Sequence, residues 1–294
     1  MRFERLALVG CGLMGGSFAL ALRRAGLVNQ VVSCGPDAAA LDKALRLNVI
    51  DAVADSAAQA AQGADLVLVA VPVAATEAVL AAVAPVLDAD ALLMDVGSTK
   101  RDAVAAARRV LGARLSRFVP AHPIAGKETA GVAHADAALY VNRHAILTPL
   151  PQNPAELVQR ATALWEALGA RVRRMDPQAH DAAFAAVSHL PHLLAYAYFE
   201  GVARQEAGSD FLTLAGPGFR DFTRIAASDP VMWRDVLLAN RDEVLDQLRH
   251  FRQALEGFEQ QLRAGDPAPL ENHIRQVAQA RARWHLGAPP SQSR

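Results

Sequence analysis

The stretch LALVGCGLMGGSFALAL, residues 6–22, joins one apolar run to another through a knot of glycines. The first run has the length of a buried strand, and the second has the length and alanine content of a helix. Between them Gly10, Gly12 and Gly15 stand in G-x-G-x-x-G spacing. After a strand and before a helix, such glycines let the chain turn tightly, let a pyrophosphate approach the backbone and aim the amides of a helix N-terminus at negative charge. A dinucleotide site here takes in Gly10, Gly12, Leu13, Met14 and Gly15. The same residues without their surroundings are no more than a strand-to-helix turn, so the reading depends on the chain around them.

That chain keeps the same rhythm. RLALVG (5–10), QVVSC (30–34), DLVLVAV (65–71), ALLMDVG (91–97) and RFVPA (117–121) read as buried strands. Helix-compatible segments fill 13–25, 38–47, 73–87 and 100–111. Alternation of this kind predicts a parallel sheet covered on both faces, an α/β domain of the Rossmann type. HAILTP (144–149), a helix over 154–168 and RVRRM (171–175) extend the same sheet. After Met175 the strand signal stops, and Asp176-Pro177 starts a helix with a capping residue followed by proline. A helical pattern runs from there to about Glu206, broken at Pro191, with further helices over 230–263 and 269–285. The expected organisation is a dinucleotide-binding domain over 1–175, an all-helical domain over 176–286 and a frayed tail over 287–294.

Composition bounds the function. With 294 residues, 52% of them hydrophobic, the chain has material for two cored domains. Lys plus Arg equals Asp plus Glu, 30 against 30, so no net field draws it to nucleic acid or an anionic membrane. The longest apolar stretch, near 64–75, is too short to span a bilayer, and no signal core opens the chain. Cys11 and Cys34 are the only cysteines, which speaks against a disulfide framework and for a reducing cytoplasm. Both flank the expected dinucleotide; they are either thiols that bound cofactor protects from alkylation or small buried residues of no reactivity.

A dinucleotide site of this kind usually places an acidic residue about 20 positions on, to hold a ribose hydroxyl. Here the second strand ends VVSCGPD (31–37), with Gly35 in that place and Asp37 two residues later. The missing carboxylate removes a feature that would repel a 2'-phosphate, yet no arginine follows at once to attract one. NAD and NADP both stay open, with a lean to NADP. Val71 and Pro72, at the end of the third long strand, complete the expected cofactor contacts.

Four polar stretches stand out in an alanine-rich chain: DVGSTK (95–100), AHPIAGKETAG (121–131), SHLPH (188–192) and GPGFRDFTRIAASDPVMWRD (216–235). Ligands in open α/β sheets bind at the carboxyl ends of the strands, which carries Ser98 and His122 toward the reactive end of the cofactor. Pro123 keeps His122 extended, where it is either a proton acceptor or the cap of a strand end. His189 and His192 lie three apart with no third ligand beside them, so no metal is expected; substrate hydrogen bonding and a polar seam between domains both fit. Arg220 and Arg224 are spaced to share a helix face as a carboxylate fork, or form a surface pair with Asp221.

Together GCGLMGGS, DVGSTK, HPIAGKETAG, SHLPH and GFRDFTRIAASDPVMWRD closely resemble, in order, the motifs of the prephenate/arogenate dehydrogenases of tyrosine biosynthesis. The resemblance runs from about Leu6 to Arg283. It implies oxidative decarboxylation of prephenate to 4-hydroxyphenylpyruvate with hydride transfer to NAD(P)+, with arogenate, or both substrates, as the alternative. His122 then matches the catalytic histidine at the ring hydroxyl and Ser98 the serine that orients both. Arg224 matches the arginine that binds a substrate carboxylate, while His192 and His189 match pocket residues. It also implies homodimerisation through the helical domain, and with no regulatory or mutase-like segment read in the sequence a monofunctional chain is expected. Dehydrogenases of β-hydroxy acids share the layout but use a lysine of the helical part; Lys43, Lys100 and Lys127 all lie before it. A non-catalytic dinucleotide-binding module would not need the polar motifs.

Overall fold

The computed structural model describes residues 1–127 and 129–285. The chain begins β1 (Phe3–Val9), α1 (Leu13–Arg24), β2 (Val28–Cys34), α2 (Ala38–Arg46), β3 (Ala52–Val53), α3 (Ala57–Ala61), β4 (Leu66–Val69), α4 (Thr76–Val83), β5 (Leu92–Asp95) and α5 (Arg101–Val110). The five strands form one parallel sheet in the order β3-β2-β1-β4-β5. Along β1, Leu6 and Leu8 join one apolar cluster while Ala7 and Val9 join the other. The sheet is thus buried on both faces, as parallel sheets require.

Register decides where a ligand can sit. Val9 pairs with Cys34 on one side and with Val69 on the other, and Val69 pairs with Asp95. The carboxyl ends of β1, β2, β4 and β5 are therefore level. Strand order reverses at β1, so the glycine loop after Val9 opens at the switch point of the sheet.

The expectation that the later strands extend this sheet is overturned. After β6 (Ala121–Pro123), β7 (His144–Leu147), α6 (Ala155–Ala167) and β8 (Arg171–Arg174), the strands form a separate sheet in the order β6-β7-β8, with β6 antiparallel to β7. The expected strand over 117–121 starts beside β5, where Phe118 bridges Leu93 and the Val119 amide donates to the Leu93 carbonyl at 2.9 Å. Pro120 then supplies no N–H, and a proline ends a ladder it cannot donate to. The next amide, Ala121, donates to the Asp95 side chain at 3.1 Å instead of to backbone. Two short elements, β3 and α3, carry too few residues for a periodic signal.

The rest is helical: α7 (Pro177–Phe184), α8 (Leu190–Ala203), α9 (Gly208–Thr213), α10 (Pro217–Thr223), α11 (Pro230–Ala239), α12 (Arg241–Ala264) and α13 (Pro267–Arg283). Asp176 caps α7 as its sequence predicts, accepting the amides of Gln178 and Ala179. Pro191 does not break the helix; it lies in the first turn of α8, and a π-helical turn over Ala185–His189 takes up the irregularity before it. The expected single helix over 230–263 is interrupted at Asn240, and α13 begins at Pro267 rather than at residue 269. The expected tail over 287–294 lies outside the described residues. Contacts divide the chain into two compact units, Met1–Val244 and a second from Leu245 onward. In the second, the Phe258 and His273 rings stack at 4.2 Å, and Leu255, Leu262, Ile274 and Val277 are exposed.

Candidate active site

The glycine loop is shaped by close approach. Gly10 has φ +95°, and a Cβ there would lie 2.4 Å from the Ala70 carbonyl oxygen; at Gly15 it would lie 2.3 Å from the carbonyl oxygen of Gly10. Gly12, by contrast, faces open space within 4 Å. It precedes α1 without a capping side chain, and the first turn of α1 holds no acidic residue. Those helix amides thus remain for an anion, and the open Gly12 lets one come close. Leu13 and Met14 are half-buried in that turn, and the Tyr140 hydroxyl fixes it by donating to the Met14 carbonyl at 2.7 Å. Val71 packs beside Gly10, and Pro72 is exposed next to it. The loop fits a dinucleotide.

At the end of β2, Gly35 is exposed with open space around it, while Asp37 caps α2 by accepting the Ala40 amide at 3.0 Å. Both cysteines are buried and unpaired. Burial pushes the Cys11 thiol up to about 11 and raises Cys34 as well. Neither is a ready nucleophile, which favours the unreactive reading of the pair.

Beyond β5 a buried ion pair builds the next wall. Asp95 and Lys100 are 2% and 0% exposed, and their side chains pair directly. Asp95 also accepts the amides of Gly97 at 3.0 Å and Ala121 at 3.1 Å, and Lys100 Nζ donates to the Ala121 carbonyl at 2.8 Å. The loop that carries Ser98 is thereby fastened to the residue before His122. Ser98 is half-buried, and among the described residues no hydrogen bond joins it to His122.

His122 is half-buried on β6, with Nδ1 2.9 Å from His180 Nε2. His180 Nδ1 lies 2.7 Å from Asp181 Oδ1, and both residues of this pair are fully buried. The Asp181 carboxylate also accepts the amides of Lys100 at 2.8 Å and Arg101 at 2.9 Å, where α5 begins. Phe184, one turn further along α7, sets its ring against both histidines, 4.9 Å from His122 and 4.5 Å from His180. Burial holds His122 well below the usual imidazole range, helped by His180, Lys100 and His189. Burial likewise lowers His180. For Asp181, burial acts upward, yet the hydrogen bonds from His180, Arg101 and Lys100 outweigh it and keep the carboxyl below its ordinary value.

SHLPH divides between two environments. His189 is buried, and burial pushes it down to about 4. Asn240, at the break between α11 and α12, donates to both His189 Nδ1 at 3.0 Å and the Asp181 carbonyl at 2.8 Å. His192 is half-buried and stacks on Trp233 at 3.4 Å, its Nδ1 2.9 Å from the Ser188 carbonyl. Burial lowers its pKa, and the nearby Arg224 charge adds to that. Arg224 starts the short turn after α10 and is exposed, whereas Arg220 is exposed beside Asp221 at 3.0 Å. Asp95, Lys100, His180, Asp181 and Asn240 are site residues that the sequence motifs do not mark as such. The signal available was weak: Asp95 and Lys100 stand inside a stretch singled out as polar, and His180 and Asp181 follow the predicted cap at Asp176.

The chain matches the model of the nucleotide-binding domain of prephenate dehydrogenase over residues 18–174 and that of its dimerization domain over residues 176–276. It is 34% identical to a cyclohexadienyl dehydrogenase of Zymomonas mobilis over 281 residues, 95% of either chain. It is 36% identical to a prephenate dehydrogenase of Bacillus subtilis over 83% of this chain and 66% of that protein. A crystal structure of prephenate dehydrogenase from Aquifex aeolicus, in complex with hydroxyphenyl propionate and NAD+, superposes with a TM-score of 0.90 at 33% identity, covering 96% of this chain and 98% of that one. The chain therefore belongs to the prephenate dehydrogenase family of dinucleotide-dependent oxidoreductases.

Proposed function

We propose that this chain oxidises and decarboxylates prephenate to 4-hydroxyphenylpyruvate with NAD+ or NADP+. The observation that carries the reading is the placement of His122: an imidazole kept neutral, braced from behind, beside the level strand ends onto which the glycine loop opens. The glycine loop and the first amides of α1 bind the pyrophosphate. When bound, the nicotinamide supplies the hydride acceptor. His122 takes the proton of the ring hydroxyl, and Ser98 orients that hydroxyl from the loop after β5. Arg224 binds a substrate carboxylate, and Arg220, paired with Asp221, is the second candidate for it. His192, stacked on Trp233, and the buried His189 behind it form the side-chain end of the pocket. Loss of carbon dioxide is eased because the ring becomes aromatic, so the protein's contribution is mainly positioning of base and anion.

A second reading, oxidation of arogenate or of both substrates, is favoured by the similarity to the cyclohexadienyl dehydrogenase. The absence of a carboxylate at Gly35 supports NADP+ over NAD+, since an acidic side chain there would repel a 2'-phosphate. Organisation into a nucleotide-binding domain over 1–175 and a helical domain over 176–286 is supported by the ranges of the two family models. A homodimer through the helical part is supported by the second model's description and by the exposed Leu255, Leu262, Ile274 and Val277. Free Cys11 and Cys34 suit a reducing cytoplasm, and among the described residues no helix is long and apolar enough to cross a membrane. The test is the appearance of reduced cofactor with prephenate or arogenate and NAD+ or NADP+. Turnover in one mixture fixes substrate and cofactor together; silence in all four, with the cofactor bound, overturns the reading.

A further inference from the structure

We propose that His180 and Asp181 are positioning residues that fix the tautomer of His122, keeping its Nδ1 protonated and leaving Nε2 as the bare nitrogen that accepts the substrate proton. This rests on His122 being the base.

The assignment follows from the order of donors and acceptors. Asp181 gathers three N–H groups, from Lys100, Arg101 and His180, so it is an ionised acceptor throughout. His180 must then carry its hydrogen on Nδ1, facing Asp181 Oδ1 at 2.7 Å. A neutral imidazole protonated at Nδ1 has a lone pair at Nε2, and that atom lies 2.9 Å from His122 Nδ1. One hydrogen has to occupy that contact, and His122 Nδ1 is the atom left to supply it.

A second proton on His180 would reverse the contact. His180 is fully buried with Lys100 as a fixed neighbouring cation, and both conditions oppose it. The other ionisable groups acting here are Asp95 and Asp181 at His180, and His180, Lys100 and His189 at His122. Asp181 and Asp95 pull His180 the other way, but burial and the Lys100 charge outweigh them and keep it below its ordinary value, while His189 accepts from Asn240 at Nδ1. When His122 takes a proton at Nε2, its Nδ1–H bond to His180 strengthens, and the Asp181 carboxylate stabilises the new charge from a distance without itself accepting a proton. A buried carboxylate does the same directly in the serine protease triad, where its role is tautomer and orientation. Here a second imidazole is interposed. Sequence gives no hint of it, because 58 residues separate His122 from His180.

The test uses the full chain labelled with 15N in its nine histidines. Two-bond 1H–15N spectra report which ring nitrogen is protonated, and His122→Gln identifies the His122 signals. Protonation at Nδ1 of His122 is expected at neutral pH; protonation at Nε2 overturns the proposal. In His180→Phe, kcat should fall by about 10- to 1000-fold while KM and cofactor affinity stay within about threefold. The single tautomer of His122 should also be lost. An unchanged kcat in a variant that still binds cofactor overturns the proposal. Should His180→Phe fail to fold, the spectrum of the unmodified protein decides alone. Failure to oxidise prephenate or arogenate defeats the reading of His122 as base, whereas the spectrum still reports the tautomer.

Discussion

Lys100 Nζ reaches the Ala121 carbonyl at 2.8 Å while pairing with Asp95, and Asp95 in turn receives the Ala121 amide at 3.1 Å. Two side chains thus take over where a proline ends main-chain pairing between β5 and the strand that follows. The pair connects the edge of one sheet to the start of the next, and it sets the spacing between the Ser98 loop and His122.

Removing only the cation should be costly. In Lys100→Met the Asp95 carboxylate stays buried without its counter-charge, and breaking such a pair destabilises a fold by about 3–5 kcal/mol. The double variant Lys100→Met/Asp95→Asn should recover much of that loss, because asparagine keeps an acceptor for the Ala121 amide. Urea unfolding of both variants checks this; a single variant as stable as the parent would show that the pair is dispensable.

For His122→Ala, turnover should fall by about 100-fold or more, as expected for loss of a general base. Cofactor affinity should stay nearly unchanged, since the glycine loop is built by other elements. Titration calorimetry with the cofactor, alongside steady-state rates, separates the two effects. Near-normal turnover would remove His122 from the mechanism.

Arg224→Ala should act mainly on KM. Loss of a charge-assisted contact to a carboxylate costs about 1–3 kcal/mol, roughly 5- to 150-fold. Arg220→Ala should raise KM by less than about threefold, because an exposed guanidinium already paired with a neighbouring carboxylate contributes little. Equal effects from the two variants would mean that Arg220 shares the substrate.

The half of the chain that alternates strand and helix was legible because the longer strands of the parallel sheet carry buried, mostly apolar runs and because Gly10 and Gly15 stand where a Cβ would strike backbone. Asp176 was legible as a cap for the same local reason. What escaped was non-local. Pro120 is visible in sequence, but that it hands Ala121 over to Asp95 depends on a side chain 26 residues away. Asn240 falls inside what reads as one helix over 230–263, and its bonds to His189 and the Asp181 carbonyl join positions 51 and 59 residues apart. Motif spacing placed His189 and His192 together, yet burial separates them: one is fully enclosed against Asn240 and the other is half-buried, stacked on Trp233.

Cofactor choice can be tested at Gly35. The position has open space around it, so Gly35→Asp should be accepted without strain. A carboxylate there would meet a 2'-phosphate at close range, and like-charge repulsion of about 1–2 kcal/mol predicts a 5- to 30-fold rise in KM for NADP+. The KM for NAD+ should hold or fall. Equal shifts for both cofactors would place the ribose elsewhere.

Acid should weaken the fold through the buried histidines. His189 has a native pKa of about 4, against about 6.5 for a free imidazole, so the unfolded chain binds a proton that the native chain refuses. Stability from this residue is fully present above pH 6.5 and is lost as pH falls toward 4, about 3 kcal/mol over the window. His122 and His180 are shifted in the same direction and steepen the loss. In His189→Gln the side chain keeps an acceptor for Asn240 but cannot titrate, so the fall in unfolding free energy between pH 7 and pH 5 should be smaller than in the parent. If urea unfolding gave the same slope in both proteins, the native state would have to accept the proton at His189, and the enclosure of that ring by Asn240 and Trp233 would be wrong.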